Sequence, residues 1–138
     1  MALRKNAKVE LLRSIPLFAQ FSKRELNEVA AVADEVEVEA GKELTKEGRP
    51  GREFFVLVEG TADVVRNGRV VNRLGPGDFF GEIALIAKRP RTATVTTTTP
   101  ARVLVVTDRS FQSLMEHFPG MQLKVLQTLA ERVARDLM

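Results

Sequence analysis

The sequence contains no cysteine and a single histidine, His117. Without cysteine there can be no disulfide, iron–sulfur cluster or thiolate zinc site, and a reducing compartment is the natural expectation. One histidine excludes a multi-histidine metal centre. A long apolar run is also absent, since no stretch approaches the ~18 residues that would suggest a membrane span. The N-terminus, MALRKNAKVE, is charged and lacks the apolar segment of a secretory signal. Charge of one sign is not massed anywhere: 21 basic and 18 acidic residues are scattered along the chain and leave a net +3. A nucleic-acid footprint needs Lys and Arg clustered on one face or helix. These absences lead to the expectation of a soluble, cytoplasmic protein with no cofactor and no metal, no membrane partner and no nucleic acid bound by this chain itself.

The apolar content is ample for a core. At 138 residues and 44% hydrophobic, the chain fits a single compact domain over 1–138 and is too apolar for intrinsic disorder. The N-terminal part, 1–34, reads as helical. Val9, Leu11, Leu12 and Ile15 precede Pro16, which stops the first helix, and Ser22-Lys23-Arg24-Glu25 fits a capping box ahead of Leu26, Val29, Ala30 and Ala33. The period then shortens to two. Val36 and Val38 alternate with Glu35, Glu37 and Glu39, as in a half-buried strand. Phe54, Val56 and Val58 alternate with Phe55, Leu57 and Glu59, which predicts a strand covered on most of both faces. Asn67-Gly68 between Val64-Val65 and Val70-Val71 is a strong two-residue hairpin signal. Gly75-Pro76-Gly77-Asp78 is a further turn, and Thr92–Thr98 and Ala101–Val106 read as two strands around Pro100.

The segment 107–138 returns to helix. Thr107 and Asp108 are possible caps for a helix carrying Phe111, Leu114 and Met115, and Pro119 suits the first turn of a final helix. On that helix Leu123, Leu126, Leu129, Ala130, Val133 and Leu137 form a broad apolar stripe. The stripe is expected both to pack on the strands and to support self-association. No internal repeat is present. Helices, then seven or eight short strands with glycine-rich turns, then helices argue an α+β fold whose strands form a sandwich or roll.

The segment 79–95, FFGEIALIAKRPRTATV, places a carboxylate directly after a glycine and a cation after a Lys-Arg-Pro turn. Glycine lets a ligand approach the backbone closely. If 82–86 forms a helical turn, its first N–H groups lack partners and attract anions. Two readings of Glu82 fit this. It suits the helix dipole as a first-turn residue, or it accepts from a ligand's hydroxyls while the N–H groups of Ile83 and Ala84 hold an anion. Arg91 also has two readings. It makes a two-pronged contact to phosphate, or it joins Glu82 in a surface ion pair worth under ~1 kcal/mol. The nine-residue spacing allows both side chains to face one pocket.

Phe80-Gly81-Glu82-Ile83-Ala84-Leu85 followed by Pro90-Arg91-Thr92-Ala93-Thr94 resembles the phosphate-binding cassette of the cyclic nucleotide-binding domain family. That family includes catabolite activator protein and the protein kinase A regulatory subunits. The resemblance covers nearly the whole chain: Ile15-Pro16-Leu17-Phe18 is similar to the family's entry segment, and Gly41, Gly48, Gly60, Gly75 and Gly77 stand where its turns carry glycine. It implies an antiparallel, jelly-roll-like β-roll of about eight strands over 35–106, flanked by N-terminal helices and C-terminal lid helices. It also implies a ligand, cAMP or cGMP, and a site. Arg91 would bind the cyclic phosphate, Glu82 the ribose 2′-hydroxyl, and the Ile83 and Ala84 N–H groups the phosphate. Gly81 would give the ribose access, with Phe80 and Ala93 flanking these positions. Thr92 would reach phosphate or base, and Val64 and Leu74 would line the base pocket. Ala40 departs from the family's usual proline before Gly41. Arg132 and Arg135 are candidates for reaching the base, with solvated helix positions the favoured reading. The sequence stops at Met138, where the family's last helix leads on to an output domain, so no DNA-binding unit is expected within it.

Three function classes are in play. A sensor would use the nucleotide to draw the last helix over the pocket. A roll with a lost or altered ligand would serve as a dimerisation or interaction module, with a homodimer through the C-terminal helix. An enzyme is disfavoured, because metal-dependent rolls need several histidine ligands and no nucleophile–base pair stands out; His117 suits a helix-terminus role. cAMP is favoured over cGMP.

Overall fold

The structure, a computed structural model, describes residues 5–137. Residues 1–4 and Met138, counted above with the terminal helices, lie outside the described residues. Helix α1 (Lys5–Arg13) is followed by a 3₁₀ turn at Pro16–Phe18 and by α2 (Lys23–Val32). The first helix therefore stops before Ser14, and Pro16 begins the 3₁₀ turn instead of ending the helix. At α2 the capping box is complete: the Glu25 N–H donates to the Ser22 hydroxyl at 3.2 Å, and the Ser22 N–H donates to the Glu25 carboxylate at 2.9 Å.

Eight strands follow: β1 (Ala33–Val38), β2 (Glu43–Thr45), β3 (Glu53–Glu59), β4 (Ala62–Arg66), β5 (Arg69–Leu74), β6 (Phe79–Phe80), β7 (Thr94–Thr97) and β8 (Ala101–Thr107). A five-residue helix, α3 (Glu82–Ile86), lies between β6 and β7, and α4 (Asp108–His117) and α5 (Pro119–Leu137) close the described chain. The strands form two four-stranded sheets, ordered β1-β8-β3-β6 and β2-β7-β4-β5, with antiparallel pairings throughout. The β4–β5 hairpin turns at Asn67 (φ 53°) and Gly68 (φ 77°), the two positive angles that a type I′ turn requires.

Strand β3 divides the molecule. Phe54, Val56 and Val58 point with Leu104 and Val106 of β8 into a core beneath the helices, where they meet Leu12, Phe18, Leu26, Val29, Phe111, Met121 and Val125. Phe55 and Leu57 point the other way, with Ala101 and Val103, into a second core between the sheets alongside Ala62, Leu74, Phe80 and Val95. This is the two-sided burial expected of the strand, and strict alternation produces it. Phe54 joins the helices to the roll: its ring stacks on Phe111 at 4.6 Å between centroids and meets Phe79 at 5.5 Å.

Three expectations change. In β1, Val36 is exposed, whereas the Glu35 side chain is nearly buried and pairs with Arg102 at 3.2 Å. A charge partner on the neighbouring strand makes burial of the carboxylate tolerable. Strand β7 starts at Thr94, so Thr92 and Ala93 belong to the preceding loop. The apolar stripe of α5 divides between two faces. Of its residues only Leu129 packs against the helical core, whereas Leu123, Leu126, Val133 and Leu137 are 56–83% exposed, and the helix is anchored by Met121 and Val125, which the stripe did not include. In β7 the buried Thr97 hydroxyl donates to the Glu39 carbonyl and accepts from the Lys42 N–H.

Because Phe111 is fully buried and stacked on the dividing strand, Phe111→Ala is expected to lower the unfolding free energy by about 3–5 kcal/mol in urea denaturation.

Candidate functional site

Strand β6 delivers the chain to Gly81, which takes φ 94° and caps α3. A Cβ at Gly81 would lie 2.9 Å from the Glu53 carbonyl oxygen and 2.9 Å from an Arg91 nitrogen. The backbone angle and the lack of space both call for glycine. Helix α3 is so short that its leading N–H groups, those of Ile83 and Ala84 among them, have no partner inside it. The Ala87 N–H then donates to Ile83 and the Arg89 N–H to Ala84, and Lys88 at φ 54° turns the chain back.

Arg91 is held at both its backbone and its head group. Its N–H donates to the Arg49 carbonyl at 2.8 Å, and its own carbonyl accepts from the Gly48 N–H at 2.9 Å. Its guanidinium donates to the carbonyls of Gly81 at 3.1 Å and Glu53 at 2.9 Å, and lies 3.7 Å from the Glu53 carboxylate. The side chain is 5% exposed. Burial lowers the guanidinium's pKa from its ordinary value, and the charges of Glu53 and Glu82 oppose that shift. The aromatic floor is also ordered: Phe55 stacks on Phe80 at 4.9 Å, and the Arg91 head group lies 5.8 Å from the Phe55 centroid.

Glu82 is 1% exposed. From α5, Arg132 donates to its Oε1 and to the Phe79 carbonyl, with the guanidinium 5.2 Å from the Phe79 ring centroid. The other oxygen, Oε2, is buried and has no hydrogen-bond partner among the described residues. A buried acceptor left in that state is costly and calls for a donor.

These groups converge on one cavity. All ten residues singled out from the sequence line it: Val64, Leu74, Phe80, Gly81, Glu82, Ile83, Ala84, Arg91, Thr92 and Ala93. Thr45, Arg66, Val71, Asn72, Val95, Leu129, Arg132, Val133 and Arg135 complete the lining. Arg132 corrects the favoured reading of a solvated helix residue. It stands one turn after Leu129, which packs on the core, and that helical phase was the signal available for it. Arg135 borders the cavity but is exposed. Thr45 carried no sequence signal. Its hydroxyl donates to the Ala93 carbonyl and accepts from the Val95 N–H, which ties down the chain just after Arg91. His117 lies away from the cavity at the end of α4, with Nδ1 2.7 Å from the Ser113 carbonyl oxygen.

Gly51 is another position the sequence did not single out. A Cβ there would fall 2.1 Å from Arg91 Nε and 2.3 Å from its Cζ. Gly51→Ala is therefore expected to keep the fold but push the guanidinium off the Gly81 and Glu53 carbonyls. A crystal structure of the variant with Arg91 unmoved would contradict this.

The cyclic nucleotide-binding domain family matches residues 35–118. The cAMP-dependent protein kinase regulatory subunit of Eremothecium gossypii is 37% identical over 107 residues, which cover 77% of this chain and 23% of that protein. The chain thus spans about a quarter of the length of that relative. Among solved structures, cAMP-bound PfPKA-R superposes with a TM-score of 0.85 at 25% identity, over 96% of this chain and 47% of that one. The regulatory subunit of a cAMP-independent protein kinase A from Trypanosoma brucei superposes with a TM-score of 0.82 at 24% identity, over 93% of this chain and 46% of that one, and shows the shared fold. The strand order, the cassette geometry and the family match lead to one conclusion: the chain belongs to the cyclic nucleotide-binding domain family.

Proposed function

We propose that this chain is a sensor module that binds cAMP, with cGMP as the alternative nucleotide, and signals through movement of α5. One observation carries the reading. A buried guanidinium, Arg91, and a buried carboxylate with a partnerless oxygen, Glu82, line one cavity that α5 also walls. A cyclic phosphodiester bears one negative charge, and its ribose bears one hydroxyl. Arg91 takes the phosphate with the Ile83 and Ala84 N–H groups, Glu82 takes the 2′-hydroxyl, and Gly81 admits the ribose. Thr92 lies at the phosphate or base, while Val64 and Leu74 line the base pocket above the Phe80 floor. Ligand contacts with Leu129, Arg132 and Val133 would differ between positions of α5, and only such differential contact can shift a conformational equilibrium. The module binds and does not transform its ligand, needs no cofactor, and works in the cytoplasm. No helix among the described residues is long and apolar enough to cross a membrane.

Calorimetric titration of the folded protein with cAMP and with cGMP tests this. Binding is expected in the submicromolar to micromolar range, tighter for cAMP. Arg91→Ala is expected to weaken it at least about thirtyfold, or ~2 kcal/mol, as loss of charge-assisted hydrogen bonds implies. Absence of heat with both nucleotides would reject the sensor reading and leave the interaction module in its place.

A second reading concerns assembly. Leu123, Leu126, Ala130, Val133 and Leu137 recur at alternating spacings of three and four along α5, and the four larger ones are exposed. That spacing is a heptad seam, and we propose that it pairs with the same seam of a second copy. Light scattering is expected to report a dimer for the parent protein and a monomer for Leu126→Glu. A parent monomer at tens of micromolar would exclude it.

A further inference from the structure

The basic turn between α3 and Arg91 has no part in the cavity: Lys88, Arg89 and Pro90 do not line it. Residues 86–90 are all exposed, and residues 89–93 belong to neither a helix nor a strand. Pro90 holds the residue before it in an extended conformation. Thr92 comes next after Arg91, exposed and ahead of β7, which begins at Thr94. Lys88 and Arg89 thus stand four and three residues before an exposed hydroxyl. Cations at a fixed distance ahead of a hydroxyl, on an accessible extended segment, are the charge pattern by which arginine-directed protein kinases choose their acceptors. The neighbouring threonines do not fit it. Thr94 is paired with Val65 in β7, its hydroxyl accepts from the Glu47 N–H, and the arginine three residues before it, Arg91, is buried. Thr96 is paired on both sides within its sheet, and Thr97 is buried.

Thr92 also lines the cavity. Arg66 Nε donates to the Thr92 carbonyl at 3.3 Å, and Arg66, Arg91, Arg132 and Arg135 share the lining. We propose that Thr92 is a phosphorylation site for an arginine-directed protein kinase, and that phosphothreonine there and a cyclic nucleotide exclude one another from the cavity. In the transfer, the Thr92 hydroxyl oxygen forms a bond to the γ-phosphorus of ATP and the bond from that phosphorus to the β–γ bridging oxygen breaks. ADP leaves, and the hydroxyl proton passes to the catalytic carboxylate of the kinase. The new group carries about −1.5 to −2 charges at neutral pH. Among arginines such a group is held by charge-assisted hydrogen bonds. It fills space at the cavity wall and repels the cyclic phosphate. A bound nucleotide in turn covers Thr92 and keeps it from the kinase. The antagonism rests on the cyclic-nucleotide reading; the modification does not.

The test incubates the whole chain with ATP, magnesium and a purified kinase that selects arginine three residues before its acceptor, and locates the phosphate by tandem mass spectrometry. Phosphate is expected on Thr92, at a rate at least about tenfold lower in Arg89→Ala, and lower again in the parent when cAMP is saturating. Arg89→Ala is expected to bind cAMP as the parent does, since Arg89 does not line the cavity. Calorimetry of the stoichiometrically phosphorylated parent is expected to show cAMP binding weakened at least about thirtyfold, and phosphatase treatment to restore it. That recovery separates an occupied cavity from a damaged fold. Absence of phosphate on Thr92, or equal rates in the parent and Arg89→Ala, overturns the modification and leaves the sensor reading in place. Phosphorylated Thr92 with undiminished affinity for cAMP overturns the antagonism. If the unmodified parent binds neither cAMP nor cGMP, the sensor reading fails and the antagonism with it, while the mass spectrum still decides the site.

Discussion

The site is organised around a cation that has left water. Arg91 is buried, and burying a charge is costly unless its donors are satisfied. Carbonyls from Gly81 and Glu53 satisfy it, and both belong to backbone that the fold must bring within 3.1 Å of the guanidinium. Everything near the site follows from that demand. Gly51 and Gly81 are glycines because a Cβ at either would press on Arg91. The turn at 48–49 is bonded to the Arg91 backbone, and Thr45 locks the chain two residues further on. The sheets, turns and short helix are arranged so that one positive charge is held out of solvent in the wall of a cavity.

The second charged element faces the other way along the chain. Glu82 belongs to the roll and Arg132 to the last helix, so their ion pair joins the two parts that a sensor must couple. The Phe79 carbonyl adds a third point of attachment on the same guanidinium. The cavity wall is thus bonded directly to α5. The exposed seam of that helix lies on a different face from Met121 and Val125, which anchor it. One face fixes the helix to the domain; on the other, Val133 also borders the cavity, while Leu123, Leu126 and Leu137 are exposed.

The fold alone does not choose a ligand. A regulatory subunit described as cAMP-independent superposes on this chain about as well as cAMP-bound relatives do. What distinguishes a binding member lies in a few side chains and in the room left around them. Here the segment 79–95 carries a carboxylate and a guanidinium, and Gly51 and Gly81 leave room for the guanidinium.

Much of this was legible in the sequence, for reasons of local physics. Alternation in 53–59 announced a strand buried on both faces, because side chains on a strand can only alternate. Asn67-Gly68 announced its hairpin, because few other pairs accept two positive φ angles, and Ser22 with Glu25 announced a helix start. The cassette was readable because its parts are neighbours in sequence. What tertiary structure alone decided was every relation between distant positions. The exposure of Val36 and burial of the Glu35 side chain in β1 depended on Arg102 arriving beside Glu35. The clearance at Gly51 depended on Arg91 lying across it, and nothing near residue 51 encodes that approach. Arg132 looked like a solvated helix cation because its carboxylate partner lies 50 residues away. Local sequence determines which conformations a segment can adopt; which buried charge meets which partner depends on how the whole chain closes, since a buried charge is tolerated only where packing brings its counterpart within reach.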